Sequence, residues 1–489
     1  MKVLVRADAG AAIGIGHVAR CLTLAEHLVA QRASVTFACR EVPGHQMARI
    51  AAEGHEVLAL PAELEDEIGG LSGLLPDGAV FDWIIVDHYG LDVRWESAAR
   101  QWGRRIMAID DLADRPHDCD LLLDQNFTAS AALYQSLVPP ACRVLAGPRY
   151  ALLRPAFRQG RAAEAEEGRR VLVSFGGFDQ AGMNLKTLQA LLAVEGVRVE
   201  CIAGQSSPDL PALQALVGQR PGWVLLPFVD DLPQRMVQAT LFVGAGGGTT
   251  WERAALGVPS LCVSVADNQV ANAEALARAG MHLYLGAAER VSVATLHQAI
   301  SLLLDNVPLR KHFAARSRDL VDGLGARRVA VALAGRGMQL REAQFDDAQL
   351  LFDGRNAETV RHSSLQQAPL EWQAHCRWLQ AALDSDERLL LIGETADGPL
   401  GMVRYDRLGR SRVRVSLYLF EGRHSLGWGT ALLAAGELAL RQRWPRVEVI
   451  EAQVLADNQA SLGLFRGAGY AQSACHFERL LKDLQHEQF

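Results

Sequence analysis

Short apolar segments alternate with helix-patterned segments along the first two thirds of the chain, and this alternation constrains the fold more than any other feature. Continuous apolar runs are typical of strands buried on both faces of a parallel sheet, and the segments between them carry apolar residues at the spacing of amphipathic helices. The sequence therefore predicts an α/β fold with two Rossmann-like halves facing each other across a cleft. The predicted strands are Val3–Arg6, Ser34–Ala38, Trp83–Asp87 and Arg105–Ile109 in the first half, and Arg170–Phe175, Val197–Ala203, Trp223–Pro227, Leu241–Gly244 and Ser260–Val265 in the second.

From Met338 onward the pattern changes to α+β, which indicates a third domain. Its predicted helices are Asp346–Phe352 and Trp372–Leu383, and its predicted strands are Gln339–Glu342, Arg388–Glu394, Met402–Asp406, Arg412–Phe420 and Val447–Leu455. The stretch Leu309–Gly335 contains several glycines and is predicted to be a linker. We therefore expect an N-terminal half at 1–155, a C-terminal nucleotide-binding half with linker at 156–335, and a third domain at 338–489.

Composition excludes several classes of protein. The net charge of −7 comes without a run of Lys and Arg that could follow a nucleic acid backbone. Eight cysteines occur without a C-x-x-C pair, so the sequence indicates neither a disulfide framework nor a zinc site. No apolar stretch approaches the roughly 20 residues of a membrane span. We expect a cytoplasmic protein with no nucleic acid, membrane or metal partner.

The N-terminal strand runs into the turn Gly14-Ile-Gly-His17 and then into an amphipathic helix. Gly14 and Gly16 allow a sharp turn and close approach of a ligand, and a helix N-terminus favours a negatively charged one. The same helix dipole disfavours an imidazolium, so His17 is expected to be neutral, as a general base must be. A helix-capping or core histidine is the alternative interpretation.

A second glycine-rich turn, formed by Gly246, Gly247 and Gly248, follows the predicted strand Leu241–Gly244. Its backbone N–H groups can bind a diphosphate, and Glu252 lies in the first turns of the next helix, where its carboxylate can accept hydrogen bonds from ribose hydroxyls. The turns at Phe175–Asp179 and 266–269 also follow strands. Ligands of open α/β sheets bind at this carboxyl edge, so the three turns together predict a nucleotide site.

A set of motifs over the first 330 or so residues carries a family resemblance. They are Arg6-Ala-Asp8, Gly14-Ile-Gly-His17, Val86-Asp-His-Tyr89, Gly147-Pro-Arg-Tyr-Ala-Leu-Leu-Arg154, Ser174-Phe-Gly-Gly-Phe-Asp179, Gly246-Gly-Gly-Thr-Thr-Trp-Glu252 and Asp267-Asn-Gln269. Through these motifs the chain resembles the UDP-sugar hydrolases of the pseudaminic acid pathway, which are relatives of glycosyltransferase type B enzymes.

This resemblance implies hydrolysis of UDP-2,4-diacetamido-2,4,6-trideoxy-β-L-altropyranose to free sugar and UDP, with attack at the anomeric carbon and without a metal. It implies that His17 takes the proton of the attacking water. The implied binding residues are Tyr89 and Asn268 or Gln269 for the sugar, Glu252 for the ribose and Phe228 for the uracil. Tyr89 as a cleft wall residue without contact, and Phe228 as a core residue, are the alternatives.

The third domain carries its own motifs. Strand Arg412–Phe420 leads into Glu421-Gly-Arg-His-Ser-Leu-Gly-Trp-Gly-Thr430, at a helix start that can bind a pyrophosphate, and Asp457-Asn-Gln-Ala-Ser-Leu-Gly-Leu-Phe-Arg-Gly-Ala-Gly-Tyr470 follows. With Arg355-Asn356 and Trp372–Trp378, these segments resemble the Gcn5-related N-acetyltransferases (GNAT), which implies acetyl-CoA as cosubstrate. The residues implied to bind it are Leu426, Gly427, Gly429 and Thr430 at the pyrophosphate, and Asn458, Ser461 and Phe465 along the pantetheine arm.

Two positions depart from the GNAT pattern. His424 replaces the usual Arg or Gln before the first motif glycine, which weakens the expected CoA contact. Phe465 replaces the tyrosine that often protonates the leaving thiolate, and a phenyl ring cannot donate a proton. Tyr470, water or no residue remain as alternatives for the acid. Glu451 is a candidate base for the sugar amine, and an exposed strand carboxylate is the alternative.

Joined in one chain, the two resemblances imply consecutive reactions on a UDP-linked amino sugar: N-acetylation of the 4-amino precursor and hydrolysis of the product. Two other functions stay open. A glycosyltransferase would use the same nucleotide site together with a pocket for an acceptor. A UDP-sugar sensor attached to the acetyltransferase would bind UDP without turnover.

Overall fold

The computed structural model describes residues 1–10, 13–160, 168–205, 207–227, 229–334, 338–395, 398–424 and 428–471. The chain divides into two units, Met1–Leu333 and Ala334–Phe489.

The first half of the larger unit is a parallel sheet of seven strands in the order β3-β2-β1-β4-β5-β6-β7. Its central strands are buried on both faces, which explains their unbroken apolar sequences. The strands are β1 Lys2–Ala7, β2 Ser34–Arg40, β3 Glu56–Leu60, β4 Trp83–Asp87, β5 Ile106–Ile109, β6 Leu121–Asp124 and β7 Arg143–Ala146, and the helices are α1 Gly16–Val29, α2 Met47–Ala52, α3 Glu67–Leu74 and α4 Val93–Ala99.

The second half is a parallel sheet of six strands in the order β10-β9-β8-β11-β12-β13. The strands are β8 Arg170–Ser174, β9 Arg198–Ile202, β10 Trp223–Leu226, β11 Leu241–Ala245, β12 Ser260–Ser264 and β13 Leu283–Ala287. The helices are α5 Pro155–Gln159, α6 Met183–Leu191, α7 Leu210–Gly218, α8 Leu232–Gln238, α9 Thr249–Leu256, α10 Val270–Arg278, α11 Val293–Asp305 and α12 Val307–Leu320, and α13 Gly325–Ala334 follows them in the chain.

The chain crosses between the two halves twice. It leaves the first half before α5 and returns after α12, so that α13 packs into the core of the first half and the carbonyl of Leu333 accepts a hydrogen bond from the indole of Trp83 at 3.1 Å. The two crossings touch, because a Cβ on Gly325 would lie 2.1 Å from the carbonyl oxygen of Ala151. The stretch Leu309–Gly335, expected to be a linker, therefore contributes helices to the larger unit up to Leu333.

The smaller unit has one sheet in the order β14-β15-β16-β17-β18, in which only β17 and β18 are parallel. Helices α14 and α16 cover one face, and α17 covers the other. The elements are β14 Gln339–Glu342, α14 Ala348–Asn356, α15 Glu358–His362, α16 Trp372–Leu383, β15 Arg388–Thr395, β16 Gly398–Arg407, β17 Arg412–Leu419, α17 Trp428–Arg443, β18 Val449–Ala452 and α18 Gln459–Gly467. In the described part of the chain, no helix has the length and apolar character needed to cross a membrane.

Candidate functional site

His17 and Asp87 form a hydrogen-bonded pair at the carboxyl edge of the first sheet. Asp87 is the last residue of β4, His17 is the second residue of α1, and Nδ1 of His17 lies 2.6 Å from Oδ1 of Asp87. Burial alone would raise the pKa of Asp87, but the charge and hydrogen bonds of Arg20 and the contact with His17 outweigh it and hold that pKa well below its usual range. An ionised carboxylate only accepts hydrogen bonds, so in the neutral imidazole of His17 the proton lies on Nδ1 and Nε2 has the free lone pair.

Arg20, one helical turn after His17, completes this arrangement. Its Nε donates to Oδ2 of Asp87 at 2.6 Å, and its Nη1 lies 3.4 Å from the carboxylate of Asp111 after β5. Neither Arg20 nor the Asp87 contact is among the residues predicted from the sequence. The signal was present for Asp87, because it belongs to the Val86-Asp-His-Tyr89 motif.

Tyr89 and Asn268 meet across the cleft between the halves. The rings of Tyr89 and His17 pack edge to face with centroids 4.7 Å apart, and Nδ2 of Asn268 lies 3.4 Å from the hydroxyl of Tyr89. Burial and the nearby Asp111 carboxylate raise the pKa of Tyr89 above its usual range, so its hydroxyl keeps its proton. Tyr89 is nevertheless 40% exposed. The structure thus brings the predicted base His17 together with two of the residues predicted to bind the sugar, Tyr89 and Asn268.

The N-terminal glycine turn is held by hydrogen bonds between its own backbone groups. Gly14 has a φ of +82°, a conformation that favours glycine, and it exchanges two backbone hydrogen bonds with Gly10, at 2.7 and 3.1 Å. The N–H of Gly14 is therefore occupied. Gly16 is the first residue of α1, where backbone N–H groups have no partner within the helix and can face an anion.

The second glycine turn joins β11 to α9. Oε1 of Gln269 accepts hydrogen bonds from the N–H of Gly246 at 3.2 Å and of Val265 at 3.1 Å, so the Gln269 amide braces this turn. Within the described ranges, no group accepts a hydrogen bond from the N–H of Gly247 or Gly248. These two amides therefore remain for a ligand.

Glu252 follows in α9. Burial raises its pKa to about 7, although Arg154 and Arg253 act in the opposite direction. No described residue donates a hydrogen bond to its carboxylate, whereas the guanidinium of Arg253 is engaged with the carbonyl of Ala245 at 2.8 Å. Glu252 is therefore a carboxylate with open acceptor capacity beside the glycine turn.

The turn after β8 is held by Asp179. Its carboxylate accepts hydrogen bonds from the N–H groups of Met183 at 3.1 Å and Asn184 at 2.6 Å, which fixes the start of α6. Burial raises the pKa of Asp179 to about 6, against the effect of those two bonds. Phe228, expected beside the uracil, lies outside the described residues.

In the smaller unit, β17 and β18 pair only from Arg412–Val415 and separate beyond that point. Strand β17 continues to Leu419 alongside β16, so its last residues have no partner strand on the β18 side. Such an opening between parallel strands exposes backbone donors and acceptors to an extended ligand. Gly429 and Thr430 lie in the first turn of α17, while Leu426 and Gly427 lie outside the described residues.

Asn458 and its neighbours have structural partners. Oδ1 of Asn458 accepts from the N–H of Ser461 at 3.0 Å and caps α18, and its Nδ2 donates to the carbonyl of Ser363 at 3.1 Å. Phe465 packs against Tyr470 with ring centroids 5.0 Å apart.

The two side chains considered for proton transfer in this unit, Tyr470 and Glu451, are both engaged with other side chains. The hydroxyl of Tyr470 donates to Glu437 at 2.7 Å. Glu451 is ion-paired with Arg412 on the neighbouring strand. We therefore assign neither side chain to acid or base catalysis. In the described part of the molecule, no three His, Cys, Asp or Glu side chains are grouped as metal ligands.

The α14 face of the same sheet carries two arginines, Arg355 and Arg404, of which Arg404 is ion-paired with Asp406 at 2.8 Å. Nη1 of Arg355 is buried without a hydrogen-bond partner in the described structure, and the Arg404 guanidinium lies 5.4 Å from the ring centroid of Trp378. Tyr418 projects from β17 to this face, where its hydroxyl donates to the carbonyl of Leu351 at 3.0 Å. The face can therefore receive an anionic group.

Two family matches cover parts of the chain. Residues 188–320 match the glycosyltransferase family 28 C-terminal domain, and residues 357–470 match the acetyltransferase (GNAT) family. With the observed sheets, they confirm the expected fold class: two Rossmann-like halves of glycosyltransferase type B kind, followed by an α+β GNAT domain.

Three known proteins illustrate the similarity. The UDP-2,4-diacetamido-2,4,6-trideoxy-β-L-altropyranose hydrolase of Campylobacter jejuni is 33% identical over 215 residues, which are 44% of this chain and 73% of the relative. The spore coat polysaccharide biosynthesis protein SpsG of Bacillus subtilis is 32% identical over 196 residues, 39% of this chain and 58% of the relative. The crystal structure of MurG from Acinetobacter baumannii has a TM-score of 0.51 at 18% identity, covers 68% of this chain and 99% of MurG, and shows a shared fold alone.

Proposed function

The chain belongs to the family of the Campylobacter jejuni UDP-2,4-diacetamido-2,4,6-trideoxy-β-L-altropyranose hydrolase, and from that premise we propose that its larger unit hydrolyses this UDP-sugar to free sugar and UDP. The smaller unit would use acetyl-CoA to N-acetylate the 4-amino UDP-sugar that precedes it, because it matches the GNAT family. The product of one reaction would then be the substrate of the other, in the biosynthesis of pseudaminic acid.

The observation that carries the hydrolase proposal is the His17–Asp87 pair. Asp87 holds the proton on Nδ1, so Nε2 can take a proton from water, and the edge of the Tyr89 ring fixes the imidazole plane. In the proposed step, the water oxygen bonds to the anomeric carbon while the bond from that carbon to the UDP oxygen breaks. The water proton passes to Nε2 of His17.

The departing UDP needs stabilisation of negative charge more than it needs a strong acid. The free N–H groups of Gly247 and Gly248 and the N-terminus of α9 supply it, and Glu252 would hold the ribose hydroxyls. Because UDP is a good leaving group, this route requires no metal ion. Tyr89 and Asn268 would contact the sugar where the two halves meet.

For acetyl transfer, the opening between β17 and β18 would accept the pantetheine arm, and the start of α17 its pyrophosphate. The amine would attack the thioester carbonyl, the carbon–sulfur bond would break, and the coenzyme A thiolate would leave and take up, through water, the proton lost by the amine. The acceptor would approach from the face of Arg355 and Arg404, whose charges suit a diphosphate.

The test is mass spectrometry of products after incubation with acetyl-CoA and the UDP-linked 4-amino sugar in water enriched in heavy oxygen. Free diacetamido sugar and unlabelled UDP are expected, which requires both acetylation and attack of water at the anomeric carbon. The label is followed in UDP, because the anomeric oxygen of the free sugar exchanges with water. Labelled UDP would contradict the attack at carbon.

Controls separate the two reactions. A His17→Ala chain should accumulate the acetylated UDP-sugar, since its smaller unit is unchanged. If the unmodified chain also stops at the acetylated UDP-sugar, the sensor or glycosyltransferase hypothesis replaces hydrolysis. Transfer of the sugar to an added acceptor would then identify the glycosyltransferase.

A further inference from the structure

Two cysteines of the larger unit lie in contact, away from the catalytic edge. Sγ of Cys119 is 3.6 Å from Sγ of Cys142. Each precedes a strand, Cys119 before β6 and Cys142 before β7, so the pair lies at the amino ends of the strands and not at the carboxyl edge with His17. Cys119 is 1% exposed, whereas Cys142 is half-buried.

The geometry allows a bond between them. A disulfide needs the two sulfurs at about 2.0 Å, and here they must approach by only about 1.5 Å. Both residues lie outside the regular strands, so side-chain rotation and small backbone shifts can bring them together without breaking the strand pairing of Leu121 with Arg143.

The chemistry distinguishes the two thiols. The thiol contact with Cys119 lowers the pKa of Cys142, and the same contact together with burial raises the pKa of Cys119. His117 adds to this effect: burial opposes its charge, but hydrogen bonds with Asp110 and Glu96 raise its pKa to about 9, so it is a cation near Cys142. The more accessible sulfur is therefore also the one that ionises, and a thiolate is the attacking species in disulfide exchange.

We propose that Cys119 and Cys142 form a modification site that closes to a disulfide by exchange with a small disulfide such as glutathione disulfide. The Cys142 thiolate attacks one sulfur of glutathione disulfide, its S–S bond breaks, and one glutathione leaves as thiolate. Cys119 then attacks the Cys142 sulfur of the mixed disulfide and releases the second glutathione. The two cysteine protons end on the two glutathiones, so one protein disulfide forms while glutathione disulfide is reduced.

Cys376 in the smaller unit is an internal control. It is also half-buried, but no other cysteine thiol contacts it within the described residues. Glutathione disulfide should leave it as a persistent mixed disulfide, whereas Cys142 should pass through that state.

The experiment treats the full chain with glutathione disulfide and maps cysteines by peptide mass spectrometry without reduction. The unmodified sequence should give a Cys119–Cys142 cross-linked peptide, reversed by dithiothreitol. Cys119→Ser should instead retain glutathione on Cys142, and Cys142→Ser should leave Cys119 unmodified because it is buried. The presence or absence of the cross-link in the unmodified sequence tests the proposal even if a variant folds poorly.

Two results would overturn the proposal. One is a stable glutathione adduct on Cys142 of the unmodified sequence, at the level seen on Cys376, without a cross-link. The other is an unreacted Cys142 under conditions that modify Cys376. Neither result depends on UDP-sugar hydrolysis, so the proposed function stands or falls separately.

Discussion

Glu252 makes nucleotide binding depend on pH in a way that follows from its environment. Its pKa in the free protein is raised to about 7 by burial, and it is proposed to bind ribose as a carboxylate. Protonation removes an acceptor, so as pH falls through about 7 the competent form is depleted and binding weakens. With a pKa of about 7, the dissociation constant should rise about tenfold from pH 8 to pH 6.

The assay is isothermal titration calorimetry of the full chain with UDP-N-acetylglucosamine. Each phosphate of this ligand carries one ester and one anhydride linkage, so no terminal phosphate titrates near pH 6. Binding at pH 6 should also release close to one proton, because the bound carboxyl must ionise; titrations in buffers of different ionisation enthalpy measure this release. Free UDP would add its own titration and is unsuitable.

Glu252→Gln is the matched control, since it keeps the shape and removes the titration. Its affinity should be lower at pH 8, by about 10- to 100-fold for the loss of charged hydrogen bonds, and nearly independent of pH. Asp179, with a pKa of about 6, titrates in the same window but is common to both chains. A Gln variant with the same pH slope as the unmodified chain would refute the role of Glu252.

Three further substitutions test the site. Asp87→Asn presents an amide that can donate to Nδ1 and favours the wrong tautomer of His17, so kcat for UDP release should fall about 10²- to 10⁴-fold with little change in KM, and an unchanged kcat would contradict the pair. Tyr89→Phe keeps the ring but removes the contact with Asn268, and kcat/KM should fall about fivefold in steady-state assays; a larger loss would indicate that the hydroxyl acts in the chemistry. Asn458→Ala removes the cap of α18 and should lower the free energy of unfolding of the smaller unit by about 1 kcal/mol in urea titrations, while Asn458→Asp should retain most of it.

The sequence predicts much of the fold because buried parallel strands have a strong apolar signature. Strands β1, β4, β8 and β11 occupy the predicted segments within a residue or two. Four strands are missing from the predicted set, namely β3, β6, β7 and β13. Three of these, β3, β7 and β13, lie at sheet edges, where the strands are short and partly exposed.

The residues of the candidate site are predictable from the sequence only where the signal is local. Glycine turns and His17 stand out locally, because turn chemistry and helix starts depend on neighbouring residues. The contact of His17 with Asp87 spans 70 positions, and no local pattern gives such a distance. Likewise, the sequence offers Asn268 or Gln269 for the sugar, and that Oε1 of Gln269 braces the glycine turn is visible only once β12 lies beside β11.

The double crossing between the halves limits how the cleft can move. Two chain segments connect the halves and lie in contact at Gly325 and Ala151. The guanidinium of Arg158 joins them a second time by donating a 3.2 Å hydrogen bond to the carbonyl of Asp322. A single connecting segment would permit both bending and twisting of one half against the other. Two adjacent segments resist twisting more than bending, so a hinge motion of one half against the other would separate and rejoin Asn268 and Tyr89 by bending.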